Sequence, residues 1–159
     1  MLFGYANEND IIEIEKCGRE CLPLYYSSKD LTHMLHDENH KLLTIVDEDK
    51  LIGFAITKTG ENNLAYIMSI GIYPQYQNKQ LGSKMLDLVK EILPNKNIIL
   101  YTQTSNKRAV SFYKKNEFII MNKIDDYYTN ISNKNAYKMI YLRWCVYVIV
   151  FLDFLFCLS

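Results

Sequence analysis

The segment "YIMSIGIYPQYQNKQLGSKMLDLV", residues 66–89, limits the fold more than any other stretch of the chain. It opens as an apolar strand, breaks at Pro74, stays polar through Gln80 and becomes an amphipathic helix. Leu81, Met85, Leu86, Val89, Ile92 and Leu93 recur at helical spacing, and Pro94 closes that helix. A polar loop between a buried strand and a helix start is a place where free backbone N–H groups and the helix dipole favour an anion. The loop at residues 76–83 therefore suggests a phosphate site, although many turns before helices bind nothing.

The flanking segments extend the pattern. "NENDIIEIEKCGRECLPL" predicts a helix opening near Asn9 and Asp10 and ending before Pro23. "SSKDLTHMLHD" predicts a short helix with a serine N-cap. "KLLTIVDEDKLIGFAITKTG" reads as a hairpin whose two apolar runs meet at the acidic turn 47–49. After the turn signal at residues 60–63 comes the strand "NLAYIMSIGIY". "NIILYTQ" is a buried strand by composition. "SNKRAVSFYKKNEF" is a helix capped by Ser105 or Asn106, with Asn116 at its expected left-handed end. "FIIMNKI" and "AYKMIYL" are strands, joined by the tyrosine-rich loop "DDYYTNISNKN". The predicted order is helix, helix, hairpin, strand, helix, strand, helix, strand, strand. This is a mixed α/β sheet covered by helices.

Length and charge narrow the function. The chain has 159 residues, the size of one domain, with 49% hydrophobic and 23% charged residues, a balance suited to a globular core. Its formal net charge of zero argues against a nucleic-acid surface, which usually needs a basic excess. Cys17 and Cys21 share a helix face without a second pair, and His33, His36 and His40 lack a fourth ligand, so no metal is expected. Without a signal peptide or a disulfide framework, a reducing, cytoplasmic compartment is expected. Residues 144–159, "WCVYVIVFLDFLFCLS" from Trp144, are the compositional anomaly. As a helix, residues 144–158 would span roughly 22 Å, short of a hydrocarbon core of about 30 Å. Three readings stay open for this tail: an extra strand or helix on the domain, a membrane-associating segment, or an extension foreign to the native protein.

The segments "AYIMSIGIYPQYQNKQLGSKML" and "SNKRAVSFYKKNEF" resemble the two signature segments of the GCN5-related N-acetyltransferases. The resemblance covers most of residues 1–143 and leaves out the tail. It implies a central, mostly antiparallel sheet, splayed at the strand before the cofactor loop and covered by about four helices. It also implies acetyl-CoA as acetyl donor and no metal. The family's Gln/Arg-x-x-Gly-x-Gly/Ala loop, whose amides hold the pyrophosphate, falls on Gln77, Asn78, Lys79, Gln80, Leu81 and Gly82, followed by Ser83. Gln80 replaces the first glycine. A negative φ there would leave the cradle intact, whereas a positive φ would strain it and weaken cofactor affinity. On the same grounds Ser69, Ile70, Gly71 and Ile72 on the strand, and Asn106, Ala109, Phe112, Tyr113 and Lys115 on the second helix, are expected to contact acetyl-CoA. The oxyanion donor would be a backbone N–H near Ile70, beside a bulge that splays the central strands.

"YIMSIG", "TSNKRAVSFYKKNEF", "YYTNI" and "CLPLYY" further resemble the catalytic subunits of protein N-terminal acetyltransferases of the NatE and NatF types. This implies that Leu22, Pro23, Leu24, Tyr26, Met68, Tyr127 and Tyr128 bind the acceptor, and that Tyr66, Tyr101 and Tyr113 are catalytic. Tyr101 stands where those enzymes keep a histidine, so the base is weaker than theirs. Tyr113 would supply the proton, or a hydrogen bond, for the departing thiolate. The implied acceptors are protein N-termini starting with Met, and the implied partners are ribosome-associated acetyltransferase subunits, with a membrane reached through residues 144–159. The chain holds thirteen tyrosines, so any one of them taken singly is more often a packing residue. A lysine or small-molecule amine as acceptor, and a non-catalytic acetyl-CoA-binding subunit, remain the alternatives.

Overall fold

The computed structural model describes residues 1–129 and 131–143; the hydrophobic segment 144–159 and the three readings given for it lie outside the described residues. Seven strands are present: β1 (Leu2–Tyr5), β2 (His40–Asp47), β3 (Lys50–Thr59), β4 (Leu64–Ile72), β5 (Asn97–Gln103), β6 (Ile119–Ile124) and β7 (Ala136–Tyr141). They form one sheet in the order β1-β2-β3-β4-β5-β7-β6. Helices α1 (Ile11–Cys21), α2 (Ser28–His36), α3 (Leu81–Ile92) and α4 (Lys107–Lys115) cover it. The β4–β5 pair is parallel and the other pairs are antiparallel. A parallel pair needs a crossover connection, and α3 supplies it.

The strands bury both faces because their side chains alternate. Leu43, Ile45, Ile52 and Ala55 join Met85, Leu86 and Val89 of α3 in one cluster. Leu42, Phe54 and Ile56 turn the other way, onto Ile11, Ile14 and Cys17 of α1 and Leu31 of α2. The hairpin turn is two residues long, with Glu48 at φ 47° and Asp49 at φ 61°, a twist that suits a tight β2–β3 connection. A serine does cap α2: Ser27 accepts from the Asp30 amide, and Asp30 answers to the Ser27 amide. Asn106 rather than Ser105 caps α4, its Oδ1 accepting from the Ala109 amide at 3.0 Å.

Three local expectations are corrected. Strand β1 was not anticipated; four residues containing Gly4 carry no legible period, and pairing with β2 along the sheet edge creates the strand. Asn116 is not left-handed, with φ −101°; Glu117 takes that role at φ 71°. The Asn116 side chain donates to the Phe112 carbonyl at 2.8 Å, which keeps Asn116 on the last helical turn. The bulge lies at Met68, two residues before Ile70: Ile56 pairs with Ser69 while the adjacent Thr57 pairs with Ile67.

That bulge has a large consequence. An extra residue bends its strand. β4 pairs with β5 only from Leu64 opposite Asn97 to Ile67 opposite Leu100. Beyond this point β5 continues against β7 as far as Gln103, while residues 69–72 of β4 stay with β3. A wedge therefore opens in the middle of the sheet.

Candidate active site

On one side of the wedge lies the loop from β4 to α3. A 3-10 turn at Pro74–Tyr76 begins it, and Gln77 fastens it, its Nε2 donating to the Ile72 carbonyl at 2.7 Å. Asn78 and Gln80 are both left-handed, at φ 62° and 61°. Gln80 thus adopts the positive φ that strains a side-chain-bearing residue, by on the order of 1 kcal/mol. The first helical bond of α3 runs from the Lys84 amide to the Gln80 carbonyl. The Leu81, Gly82 and Ser83 amides precede that bond, and Gln80 provides no side-chain cap. Ser27 and Asn106 each cap one first-turn amide of α2 and α4, those of Asp30 and Ala109, whereas α3 has no side-chain cap.

These residues line a cavity of about 510 Å³. Gln77, Asn78, Gln80, Leu81, Gly82 and Ser83 form one wall, and Asn106, Ala109, Phe112, Tyr113 and Lys115 of the α4 region form another. A Cβ on Gly82 would come within 3.0 Å of the Phe112 ring, so the glycine lets the two helices approach across the cavity floor. Arg108 donates from Nη2 to Asn78 Oδ1 at 3.2 Å, bringing a guanidinium to the loop. Uncapped amides, a helix N-terminus and a guanidinium on one cavity fit a diphosphate.

On the other side of the wedge lies a second cavity, of about 550 Å³, with a different lining. Leu22, Pro23, Leu24 and Tyr26 come from the α1–α2 connection, Tyr66 and Met68 from β4, Tyr101 from β5, and Tyr127 and Tyr128 from the β6–β7 loop. Tyr101 and Tyr127 are stacked, with ring centroids 4.6 Å apart and planes at 10°. Tyr128 stands edge-on to Tyr127 at 4.9 Å. Burial raises the Tyr26 phenol, helped by the charge of Asp30. Burial also raises Tyr127, aided by Tyr101 and Tyr26, and pushes Tyr128 up to about 12, aided by Tyr127. Tyr113, enclosed by Phe112 and Phe118, is raised by burial and then by Tyr128. These phenols stay protonated at neutral pH, so they act as hydrogen-bond donors and not as bases.

The two cavities share Leu22, Ile70, Asn106, Ala109 and Tyr113. Ser69 lines only the tyrosine-rich side and Ile72 only the loop side, so β4 threads from one to the other. The Ile72 carbonyl accepts from Gln77 and from the Cys21 thiol, which places it on the wedge side of β4. Strand alternation puts the Ile70 N–H, two residues earlier, on that same side. Its former partner strand, β5, has diverged there. Ile70 thus presents a backbone donor where the cavities meet.

Gly71 and Lys79 line neither cavity. Gly71 faces Phe54, where a Cβ would lie 2.5 Å from the ring, and the Lys79 ammonium sits 5.3 Å above the Tyr76 ring. His40 holds Asp37 at 2.7 Å and His36 faces Glu8 at 3.5 Å; among the described residues no group of three or more metal-ligating side chains converges. Lining residues not anticipated from the sequence include Tyr25, Lys58 and Gln103 on one side, and Cys21, Arg108 and Ser111 on the other. Arg108 did carry a signal: a cation in the first turn of a helix opposes the dipole, which points to an anion nearby. Lys58 carried none.

Known proteins share this fold. The model of the acetyltransferase (GNAT) family matches residues 9–118. N-alpha-acetyltransferase 50 of Danio rerio is 36% identical over 143 residues, covering 86% of this chain and 84% of that protein. Among solved structures, Arabidopsis thaliana Naa50 in complex with the bisubstrate analogue CoA-Ac-MVNAL superposes with a TM-score of 0.76 at 24% identity, over 89% of this chain and 98% of the other. The ribosomal-protein-S18-alanine N-acetyltransferase from Escherichia coli gives 0.79 at 18% identity, over 91% and 96%. The chain belongs to the acetyltransferase (GNAT) family and is an acetyl-CoA-dependent N-acetyltransferase.

Proposed function

We propose that this acetyltransferase modifies the free α-amine of protein N-termini that start with Met, by direct attack in a ternary complex. The observation that carries the proposal is the meeting of the two cavities at Ile70 and Tyr113, with the tyrosine-lined one walled by Tyr26 on one side and by Tyr127 and Tyr128 on the other. A ternary complex needs both substrates present at one junction, and each cavity opens onto it. Similarity to an N-alpha-acetyltransferase supports the same acceptor class.

Acetyl-CoA, when bound, supplies an acetyl thioester open to attack by an amine, with a thiol as leaving group. The Leu81, Gly82 and Ser83 amides and Arg108 would hold its phosphates. The Ile70 N–H would stabilise the negative charge that develops on the carbonyl oxygen. The acceptor amine must arrive deprotonated. An α-amine with a pKa near 8 is neutral in about one molecule in ten at pH 7, while a lysine near 10.4 is neutral in fewer than about one in a thousand. Tyr66 and Tyr101 then need only orient a water that takes up the proton released as the N–C bond forms. Tyr113, held protonated by burial, donates a hydrogen bond to the thiolate as the C–S bond breaks, and the thiolate takes its proton from solvent.

The test is CoA release with acetyl-CoA and a Met-Leu-starting peptide, set against the same peptide N-blocked and carrying an internal lysine. Turnover on the free N-terminus alone is expected. Turnover on the blocked peptide would move the acceptor to lysine, and binding of acetyl-CoA without turnover on either would favour a non-catalytic subunit or a small amine. Cytoplasmic placement with membrane attachment through residues 144–159 is a separate proposal. Deleting that segment should release the protein from the membrane fraction.

A further inference from the structure

The acceptor cavity is lined by aromatic, aliphatic and neutral polar side chains with one exception, Lys58. Among the described residues no carboxylate lines it. Lys58 is exposed at the end of β3 and, among the described residues, makes no ion pair. On one flank it pairs in register with Tyr66, and on the other with His40, whose ring is held by Asp37. Directly opposed residues project on the same face of a sheet, so the ammonium stands beside Tyr66 at the rim of the cavity.

The placement sets a distance. The junction at Ile70 lies four residues beyond Tyr66 on β4, but the bulge between them leaves three steps on β3, from Ala55 opposite Ile70 to Lys58 opposite Tyr66, about 10 Å at the rise of a strand. An acceptor chain whose amine sits at the junction and which runs extended along β4 reaches that level at its fourth residue. The flexible four-carbon stem of Lys58 allows it to meet the third as well. We propose that Lys58 is a specificity-determining residue that selects acceptors with an acidic side chain at the third or fourth position and disfavours lysine or arginine there. This rests on the N-terminal reading and adds to it, because among the described residues the rest of the cavity lining carries no charge. Aromatic contacts near the amine decide whether an N-terminus is held, and the cation decides which ones turn over faster.

The experiment uses the full chain and Met-Leu-starting peptides that differ only by Glu, Gln or Lys at positions three and four. The expected order of kcat/KM is Glu over Gln over Lys, spread over on the order of fivefold, as suits a partly exposed ion pair. In about 1 M salt, where the screening length falls to about 3 Å, the spread should collapse. Lys58→Met should remove it and Lys58→Glu should reverse it, with KM for acetyl-CoA unchanged as the control for folding. Equal rates on the Glu and Lys peptides, or a preference that survives in Lys58→Met, overturns the inference and leaves the N-terminal reading intact. Failure to acetylate any free N-terminus overturns that reading and this inference with it. The wild-type panel and its salt series need no variant to fold.

Discussion

The two cavities that meet at Ile70 recognise their ligands by opposite means. On the loop side the distinctive donors are backbone: three amides of α3 without a side-chain cap, delivered by two left-handed residues and one glycine. On the tyrosine side they are side chains drawn from six separate places in the sequence. A backbone site tolerates changes of side chain as long as the chain keeps its path. The loop adopts φ 61° at Gln80 although that residue carries a side chain. An aromatic site has no such latitude, because each ring is also the wall against which the next one stacks.

The contrast can be broken first at the junction, where the largest effect is expected. Tyr113→Phe removes the hydroxyl and keeps the ring packed against Phe112 and Phe118. If that hydroxyl serves the leaving thiolate, kcat should fall on the order of a hundredfold, as for loss of a hydrogen-bond donor to developing charge. Calorimetric affinity for acetyl-CoA should be unchanged. An unaltered kcat would reduce Tyr113 to a packing residue.

Next comes the aromatic wall. Tyr127→Ala deletes a stacked and an edge-on partner together, each worth about 0.5–1.5 kcal/mol beyond burial. KM for the acceptor peptide should rise on the order of tenfold, while KM for acetyl-CoA stays level. A change in both would mean that the two cavities are not separable.

Gln80→Gly tests the loop and should improve it. Relief of the left-handed strain, partly offset by the entropy of glycine, should lower KM for acetyl-CoA by about threefold, with peptide KM unaffected. A weaker cofactor interaction would show that the glutamine side chain contributes a contact of its own.

The smallest effect is in the pH response. Activity should rise with pH as the acceptor α-amine deprotonates near about 8, and no limb should fall below about pH 10, the ordinary phenol range. The phenol of Tyr128, pushed up to about 12, keeps its proton in the fold while the unfolded chain begins to lose it near about 10. Raised pKa values of this kind stabilise the fold below the unfolded value, and that stability is lost as pH rises toward 12. Thermal unfolding should therefore stay level to about pH 10 and then decline. A falling activity limb near neutrality would reveal a titrating group outside the tyrosine set.

Much of the loop side was readable along the chain because its parts are contiguous. A strand, a polar loop, one glycine and a helical stripe sit within twenty-four residues, and the resemblance assigned their roles. Tyr26, Tyr66, Tyr101, Tyr127 and Tyr128 follow from the resemblance alone; thirteen tyrosines in one chain conceal any five. Lys58 escaped because a lysine near the end of a strand looks like any solvated charge. It gains meaning only when β4 sets Tyr66 opposite it and the wedge opens a cavity beside them both.

What the residues determined by themselves is local and periodic: where helices start and stop, which strand faces are apolar, and that a polar loop precedes a helix. These follow from caps, prolines and hydrophobic spacing, which act over a few residues. What only the tertiary structure decided is long-range pairing: the edge strand β1, the bulge at Met68 in place of Ile70, the left-handed turn at Glu117 in place of Asn116, and the sign of φ at Gln80. Each depends on a partner distant in sequence or on how a connection must close. The site itself exists because β4 leaves β5 and stays with β3, a choice between two neighbours that no single segment contains.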